Sequence, residues 1–555
     1  MYEMGNHTLA SLLEKRVESF SDKEAIVGYE QGDIIKRLTY KELSQKALEV
    51  SKGLKSLGFE KGDHLIIWLP NINEWYIFEQ ACAKIGVVII PVNTFLKANE
   101  LAYILKQSDA KGIVYLKTFA NIPYQQVLES LVPEAISNNI DQWQNNEFPA
   151  LKYIISLSDD SLQGGISLTH LVEGGSGISD EEIQKITSSL DSEDLHLIMY
   201  TSGTTGAPKG CMLTHKNILD NAWYFSDALK ITENDRYLIP VPYFHIGGLV
   251  LGLLSTLIRG GTIISLDRFD PGKALSILNK EKCTVLLGAP TIYITLLHHP
   301  DVKNYEYYLR MSFMAGAPCP IDVCKKVMET FNTELLTGLG QTETSPTISV
   351  TRSEDPLDMR VGSVGKPVGT EIRVVDPISL EDVQDGVPGE LWVKGPNVMK
   401  GYYKMPDKTA ESFHDGWFRT GDMVVKNENG YIIVAGRIKE MIIVGGENVY
   451  PREIEDYIRT HTKIKDVAYI GLPDKKYGEV GAAIIQLIDG EMMTAEEVIE
   501  YCHGNMASFK VPRYVQFVET YPLTPAGKIQ KFLMVKQLTE ELSLQNVAET
   551  GKSYS

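Results

Sequence analysis

A chain of 555 residues is too long for one ordinary domain, so two or more packed cores are expected. With 43% hydrophobic and 23% charged residues it has the make-up of a folded enzyme, which excludes collagen-like, mucin-like and disordered classes. The formal charge of −18 gives no global basic field to neutralise phosphate backbones or anionic lipid, so nucleic acid and polybasic membrane anchoring are not expected.

In chain order, Met1 to Arg16 carries Glu3 and Glu14 and no apolar core segment, so a cleaved signal peptide is not expected. The runs HLIIWL, VVIIP, GIVYL and KYIIS follow. They are short, β-branched strands, and a helix is predicted between the first two in NEWYIFEQACAKIG. From Ser158 to Asp194 the chain is polar and weakly periodic, and reads as a surface excursion with a short helix near Asp180 to Ser189. Between Leu195 and Thr337 strand-length runs (LHLIMY, RYLIPV, TIISL, TVLLG, MSFM, TELLT) alternate with helix-length segments, the rhythm of βαβ units around parallel sheets. The most apolar stretch, Gly248 to Ile258, is about half the roughly 20 residues a membrane span needs and reads as a buried helix. After Gly386 short strands and tight turns suggest a small β-barrel-like subdomain. A compact βαβ-like series begins after Arg437, and the polar end from Glu541 to Ser555 is expected to fray. The fold class is therefore α/β: a large N-terminal domain of doubly wound sheets with the small strand-rich subdomain, 1–436, a small α+β C-terminal domain, 437–540, and a tail, 541–555. Six cysteines without paired C-x-x-C spacing suit a reducing cytoplasm better than a zinc site.

The segment TSGTTGAPKG, Thr201 to Gly210, follows the strand LHLIMY and precedes a helix predicted from near Thr214. Its glycines leave backbone N–H groups open, its hydroxyls can donate to phosphate oxygens, and Lys209 supplies a point charge, so it reads as a polyphosphate cradle. It is not a Walker loop, because Gly210 follows Lys209 where Ser or Thr would hold magnesium.

This decapeptide resembles the phosphate loop of the adenylate-forming superfamily, and collinear segments extend the likeness from about residue 20 to about residue 535. They are PYFHIGG, MAGAP, GLGQTETSP, WFRTGD, GRIKEMIIVGGENVYP and PLTPAGKIQK. The resemblance implies attack of a carboxylate on the α-phosphorus of ATP, release of pyrophosphate, and thiol attack on the acyl-adenylate. It assigns Thr201, Ser202, Gly203, Thr204, Thr205, Gly206 and Lys209 to the phosphates, and Gly316, Ala317 and Leu339 to the adenine. Many members carry an aromatic residue at the place of Leu339, so altered base stacking is expected here. Thr342 would contact the α-phosphate, Glu343 would hold Mg²⁺, Asp422 would accept the ribose hydroxyls, and Arg437 would contact ribose or phosphate. Lys528 would bridge the substrate carboxylate and the α-phosphate.

The same resemblance makes Lys439 the hinge of a mobile C-terminal domain, which presents Gly445 and Gly446 to an incoming pantetheine. It also places His245, with Gly340, beside the acyl site. No Asp lies between Pro242 and Ser255, so an amino-acid substrate is disfavoured. The implied activity is an acyl-CoA synthetase acting on a hydrophobic carboxylic acid, a medium- or long-chain fatty acid in preference to an aryl acid. ATP, Mg²⁺ and coenzyme A would take part, in a monomer or homodimer without a transmembrane segment. Two other readings use the same residues: a ligase that loads an acyl carrier protein, and a noncatalytic homologue that binds nucleotide or acyl ligand.

Overall fold

In the computed structural model the described residues are 5–30, 33–139, 143–159, 162–201, 207–317, 319–444, 447–474, 477–503, 505–523 and 529–551. They divide into two compact units, 1–372 with 393–418, and 373–392 with 419–555. This division differs from a boundary at residue 436 by the strand-rich stretches 373–392 and 419–436, whose strands belong to one five-stranded sheet.

The larger unit holds two sheets. In the eight-stranded one, the strands His64–Trp68, Val88–Pro91, Gly112–Tyr115, Tyr153–Ser156 and Leu195–Thr201 run parallel at the centre. His64–Trp68 is buried at every position, as a strand covered by helices on both faces should be. In the nine-stranded sheet, Arg236–Ile239, Thr262–Leu266, Val285–Gly288, Met311–Met314 and Glu334–Gly340 are parallel and antiparallel strands close both edges. Each of the ten strand runs read from the sequence in 64–337 is a strand.

Three local features were not expected. The helix expected from near Thr214 does form, as His215–Ala228 capped by Thr214, but the residues before it, Lys209–Thr214, are a strand antiparallel to Leu195–Thr201. The run GCMLT is apolar enough to be buried as a strand beside its neighbour, and that outweighs its proximity to the helix. In 162–194 the expected short helix forms as Asp180–Ser188, but the segment is not only surface: Leu171 of a further helix, Leu168–Gly174, and Ile183 are core residues. At the chain end, Lys531–Gly551 is a single helix rather than a tail frayed from 541, in keeping with a run that has no Pro or Gly before Gly551.

The apolar stretch is helical and buried as expected, but Gly247–Leu254 is wound as a π-helix before Ser255–Arg259 resumes α geometry. Two glycines let it lie on its neighbours: a Cβ on Gly248 would stand 2.2 Å from the Pro242 carbonyl oxygen, and one on Gly252 2.8 Å from Ile239. Among the described residues no helix is long and apolar enough to cross a membrane.

The smaller unit contains the hairpin Trp417–Lys426 with Ile432–Arg437, and a second five-stranded sheet built on the long pair Ile464–Asp474 and Gly478–Leu487. The helices Pro451–Ile458 and Ala495–His503 bury Ile454, Ile458, Val498 and Cys502 in one core, and Lys531–Gly551 packs Met534 and Leu538 into another. This is the α+β unit expected after Arg437.

Candidate active site

In the larger unit the site grows from the hairpin on either side of the expected phosphate loop. Thr201 and Lys209 are register partners at its loop end, where the Thr201 hydroxyl lies 3.5 Å from the Lys209 carbonyl. Ser202 to Gly206 lie outside the described residues. Next to the second hairpin strand runs Gly401–Tyr402, with Tyr402 opposite Cys211. This brings the Lys209 ammonium to 4.0 Å from the centre of the Tyr402 ring, well within cation–π range. The Tyr402 hydroxyl donates to Glu343 Oε1 at 2.8 Å. Burial and the adjacent carboxylate both push the Tyr402 phenol up, so it stays a donor at neutral pH.

Glu343 sits in the 3-10 turn Thr342–Thr344, which follows the strand Glu334–Gly340. Its carbonyl accepts from Met399 N at 2.9 Å. Two asparagines hold the end of the turn and a third holds the segment that carries one of them: Asn397 donates to the carbonyls of Thr344 and Thr347, both at 3.1 Å, Asn221 to that of Thr347 at 2.8 Å, and Asn217 to that of Pro396, beside Asn397, at 2.6 Å. Gly340 has to be glycine here, because a Cβ would stand 1.9 Å from the Pro346 carbonyl oxygen. Thr342 and Glu343 are thus presented beside the hairpin that carries Lys209. Leu339, half-buried and paired with Ser349, belongs to the same strand end.

Gly316 and Ala317 are exposed after the strand Met311–Met314, and Gly316 has φ +87° with open space where a Cβ would be. A flat group can approach that backbone closely. His245 is exposed just before the π-helix, its Nδ1 accepting from Gly247 N at 3.1 Å, which leaves the proton on Nε2 when the ring is neutral.

In the smaller unit the hairpin register sets Asp422 opposite Arg437, and Arg437 Nε meets Asp422 Oδ1 at 2.8 Å. Asp422 is 3% exposed. Its expected ribose hydroxyls would therefore have to share this carboxylate with Arg437. Neighbouring Gly421 is held by Glu390, a buried carboxylate that also accepts from Trp392 and Arg419. Lys439 lies in the 3-10 turn Ile438–Glu440. Gly445, Gly446 and Lys528 lie outside the described residues. Three residues beyond Lys528, Lys531 Nζ contacts Glu455 Oε1 at 2.7 Å and Glu440 Oε2 at 3.4 Å, which ties the start of the last helix to the turn containing Lys439.

Among the described residues no group of three or more His, Cys, Asp and Glu is placed to cage an ion. One carboxylate beside a phosphate loop is nevertheless the donor set that suits a nucleotide-borne Mg²⁺, which keeps waters and takes phosphate oxygens as its other ligands. Glu343 fits that part, since the tyrosine uses Oε1 and leaves Oε2 for a second partner.

Sequence reading missed Tyr402 and the three asparagines. Each lies far along the chain from the group it holds, and its residue type carries no signal by itself.

The family profile described as AMP-binding enzyme matches residues 13–403, and that described as AMP-binding enzyme C-terminal domain matches 453–528. YngI of Bacillus subtilis (strain 168), whose name provisionally makes it an acyl-CoA synthetase, is 41% identical over 550 residues, covering 98% of this chain and 100% of that one. The mitochondrial medium-chain acyl-CoA ligase ACSF2 of Mus musculus is 36% identical over 97% of this chain and 89% of its own. Among solved structures, ATP-bound MatB from Rhodopseudomonas palustris superposes with a TM-score of 0.83 at 29% identity, covering 96% of this chain and 99% of that one.

Proposed function

The chain belongs to the AMP-binding enzyme family and is an acyl-CoA synthetase; from that premise we propose that it activates a hydrophobic carboxylic acid, a medium- or long-chain fatty acid, as acyl-AMP with release of pyrophosphate and passes the acyl group to coenzyme A. The observation that carries this reading is the meeting of Lys209 and Glu343 on one side chain, Tyr402. A cation for phosphate oxygens and a carboxylate for their counter-ion are brought together from distant parts of the chain. Joining a carboxylate to ATP brings two anions into contact, so placed positive charge is the first requirement.

Within this reading Thr201, Ser202 to Gly206 and Lys209 hold the triphosphate, and Thr342 donates to the α-phosphate. Gly316, Ala317 and Leu339 flank the adenine, and Asp422 with Arg437 takes the ribose. Magnesium, carried in on the nucleotide and held by Glu343, would neutralise phosphate charge. Lys528, in TPAGKIQK, is assigned to the substrate carboxylate and α-phosphate, and Lys439 to the hinge that brings Gly445 and Gly446 to the pantetheine. The apolar π-helix behind His245, all buried from Gly248 to Leu254, supports an apolar acid, with His245 and Gly340 beside its path. Six free cysteines, five of them buried, suit a reducing cytoplasm.

Pyrophosphate release measured over a panel of fatty, aryl and amino acids, with coenzyme A and separately with a holo acyl carrier protein, tests the proposal. The expected result is release with medium- or long-chain acids and acyl transfer to coenzyme A. Transfer only to the carrier protein would reassign the acceptor, and no release with any acid would leave a ligand-binding homologue.

A further inference from the structure

Tyr402 has no role in the assignments above, yet its placement is tightly specified. It is 4% exposed, it lies on a two-residue strand, and its own N–H donates to Thr409 Oγ1 at 2.9 Å. The preceding Gly401 takes φ +139° and would set a Cβ 2.8 Å from Thr409, so backbone and side chain are fixed together. Flanking hydrogen bonds, Lys400 N to the Met212 carbonyl at 3.0 Å and Tyr403 N to the Gly210 carbonyl at 2.8 Å, lock this strand onto the hairpin of the phosphate loop.

From that fixed base one phenol ring makes two charged contacts. Its face carries the Lys209 ammonium at 4.0 Å, and its hydroxyl donates to Glu343 Oε1 at 2.8 Å. Glu343 is only 9% exposed, and a carboxylate so deeply placed needs a donor to hold it in one orientation. The ring likewise gives the lysine a resting position while no phosphate is bound.

We propose that Tyr402 is a positioning residue for adenylation, orienting the Glu343 carboxylate for a magnesium-bound triphosphate and carrying the Lys209 ammonium on its ring until the phosphates take it. This inference rests on the reading of Lys209 and Glu343 given above. It concerns binding of the nucleotide, before any acid is present, and predicts that the hydroxyl acts on that binding through Glu343.

The test is ATP binding without acid, titrated with Mg²⁺ by calorimetry, for the unchanged protein, Tyr402→Phe, Glu343→Gln and the double variant, with AMP binding in EDTA as a measure of intact folding. Phenylalanine keeps the ring and removes only the hydroxyl. Loss of a hydrogen bond to a charged group should raise the Mg²⁺ needed for half-maximal ATP binding roughly tenfold, leave AMP binding unchanged, and add nothing further in the Glu343→Gln background. A Tyr402→Phe protein that titrates like the unchanged one overturns the inference and leaves the reading of Glu343 standing. Equal loss of AMP binding makes the tyrosine merely structural and overturns it too. If the unchanged protein shows no Mg²⁺-dependent ATP binding, the reading of Glu343 fails, and the inference fails with it.

Discussion

Glu79 shows how far burial alone can shift a single side chain. It lies wholly inside the helix Asn73–Ile85, with Gln80 Nε2 at 3.5 Å from Oε2, and burial raises its pKa from 4.5 to about 8. Between those two values the folded chain holds a proton that the unfolded chain has released. Stability should therefore fall as pH rises through that window, by about 1.4 kcal/mol per pH unit. Glu79→Gln is expected to flatten this slope and to stabilise the protein at pH 8 relative to pH 5.5, measured as denaturant midpoints. An unchanged slope would refute the assignment. The buried, stacked His196 and His215 act in the opposite sense: burial pushes both down, His215 to about 3, so stability is lost as pH falls below 6.5, where the unfolded histidines take up protons. None of these environments was legible in the sequence, because a helix of alternating types such as NEWYIFEQACAKI does not say which of its polar residues faces the core. Tyr402 was illegible for the same reason: GYY reads as an ordinary strand end until its neighbours are known.

Elements were read more securely than residues. Short runs of β-branched residues are so strongly patterned that each of the ten read from the sequence between residues 64 and 337 forms a strand, and the predicted helix in 73–86 forms as Asn73–Ile85. The strand Lys209–Thr214 was missed because its length and type fit a helix lead-in equally well. Only pairing with Leu195–Thr201 decides it. The last helix was underestimated because its polar end gives no core signal, yet its first residue is anchored. Lys531 has 19% of its side chain exposed and is paired with Glu440 and Glu455, and Glu455 also accepts from Tyr469 N at 2.7 Å. Removing a cation from a buried pair leaves its carboxylates unmatched. Lys531→Met should therefore destabilise the full chain by about 3 kcal/mol in urea unfolding, with Lys531→Arg recovering most of it. Equal stability of the methionine variant would mean that the pair contributes nothing.

For the whole molecule, two chemical steps make different demands on one chain, and the proposed hinge lies in the turn Ile438–Glu440. Lys439→Pro, by fixing φ near −65°, should impair thioester formation from supplied acyl-adenylate more than it impairs pyrophosphate release. Lys528→Ala should do the reverse, lowering pyrophosphate release roughly a hundredfold while sparing thioester formation. Equal effects of either variant on the two steps would count against the division of labour. Fold class, the ten strand runs between residues 64 and 337 and the family were legible in the sequence alone, because backbone periodicity and short collinear motifs are local properties that neighbouring residues express together. The hairpin that holds Lys209, the asparagine clamp on the Thr342–Thr344 turn, the pairing of Asp422 with Arg437 and the ring shared by Lys209 and Glu343 were decided only by the tertiary structure. Each depends on strand register and burial, which place residues remote in the chain within a few ångströms and so choose among many partners of equal chemical type.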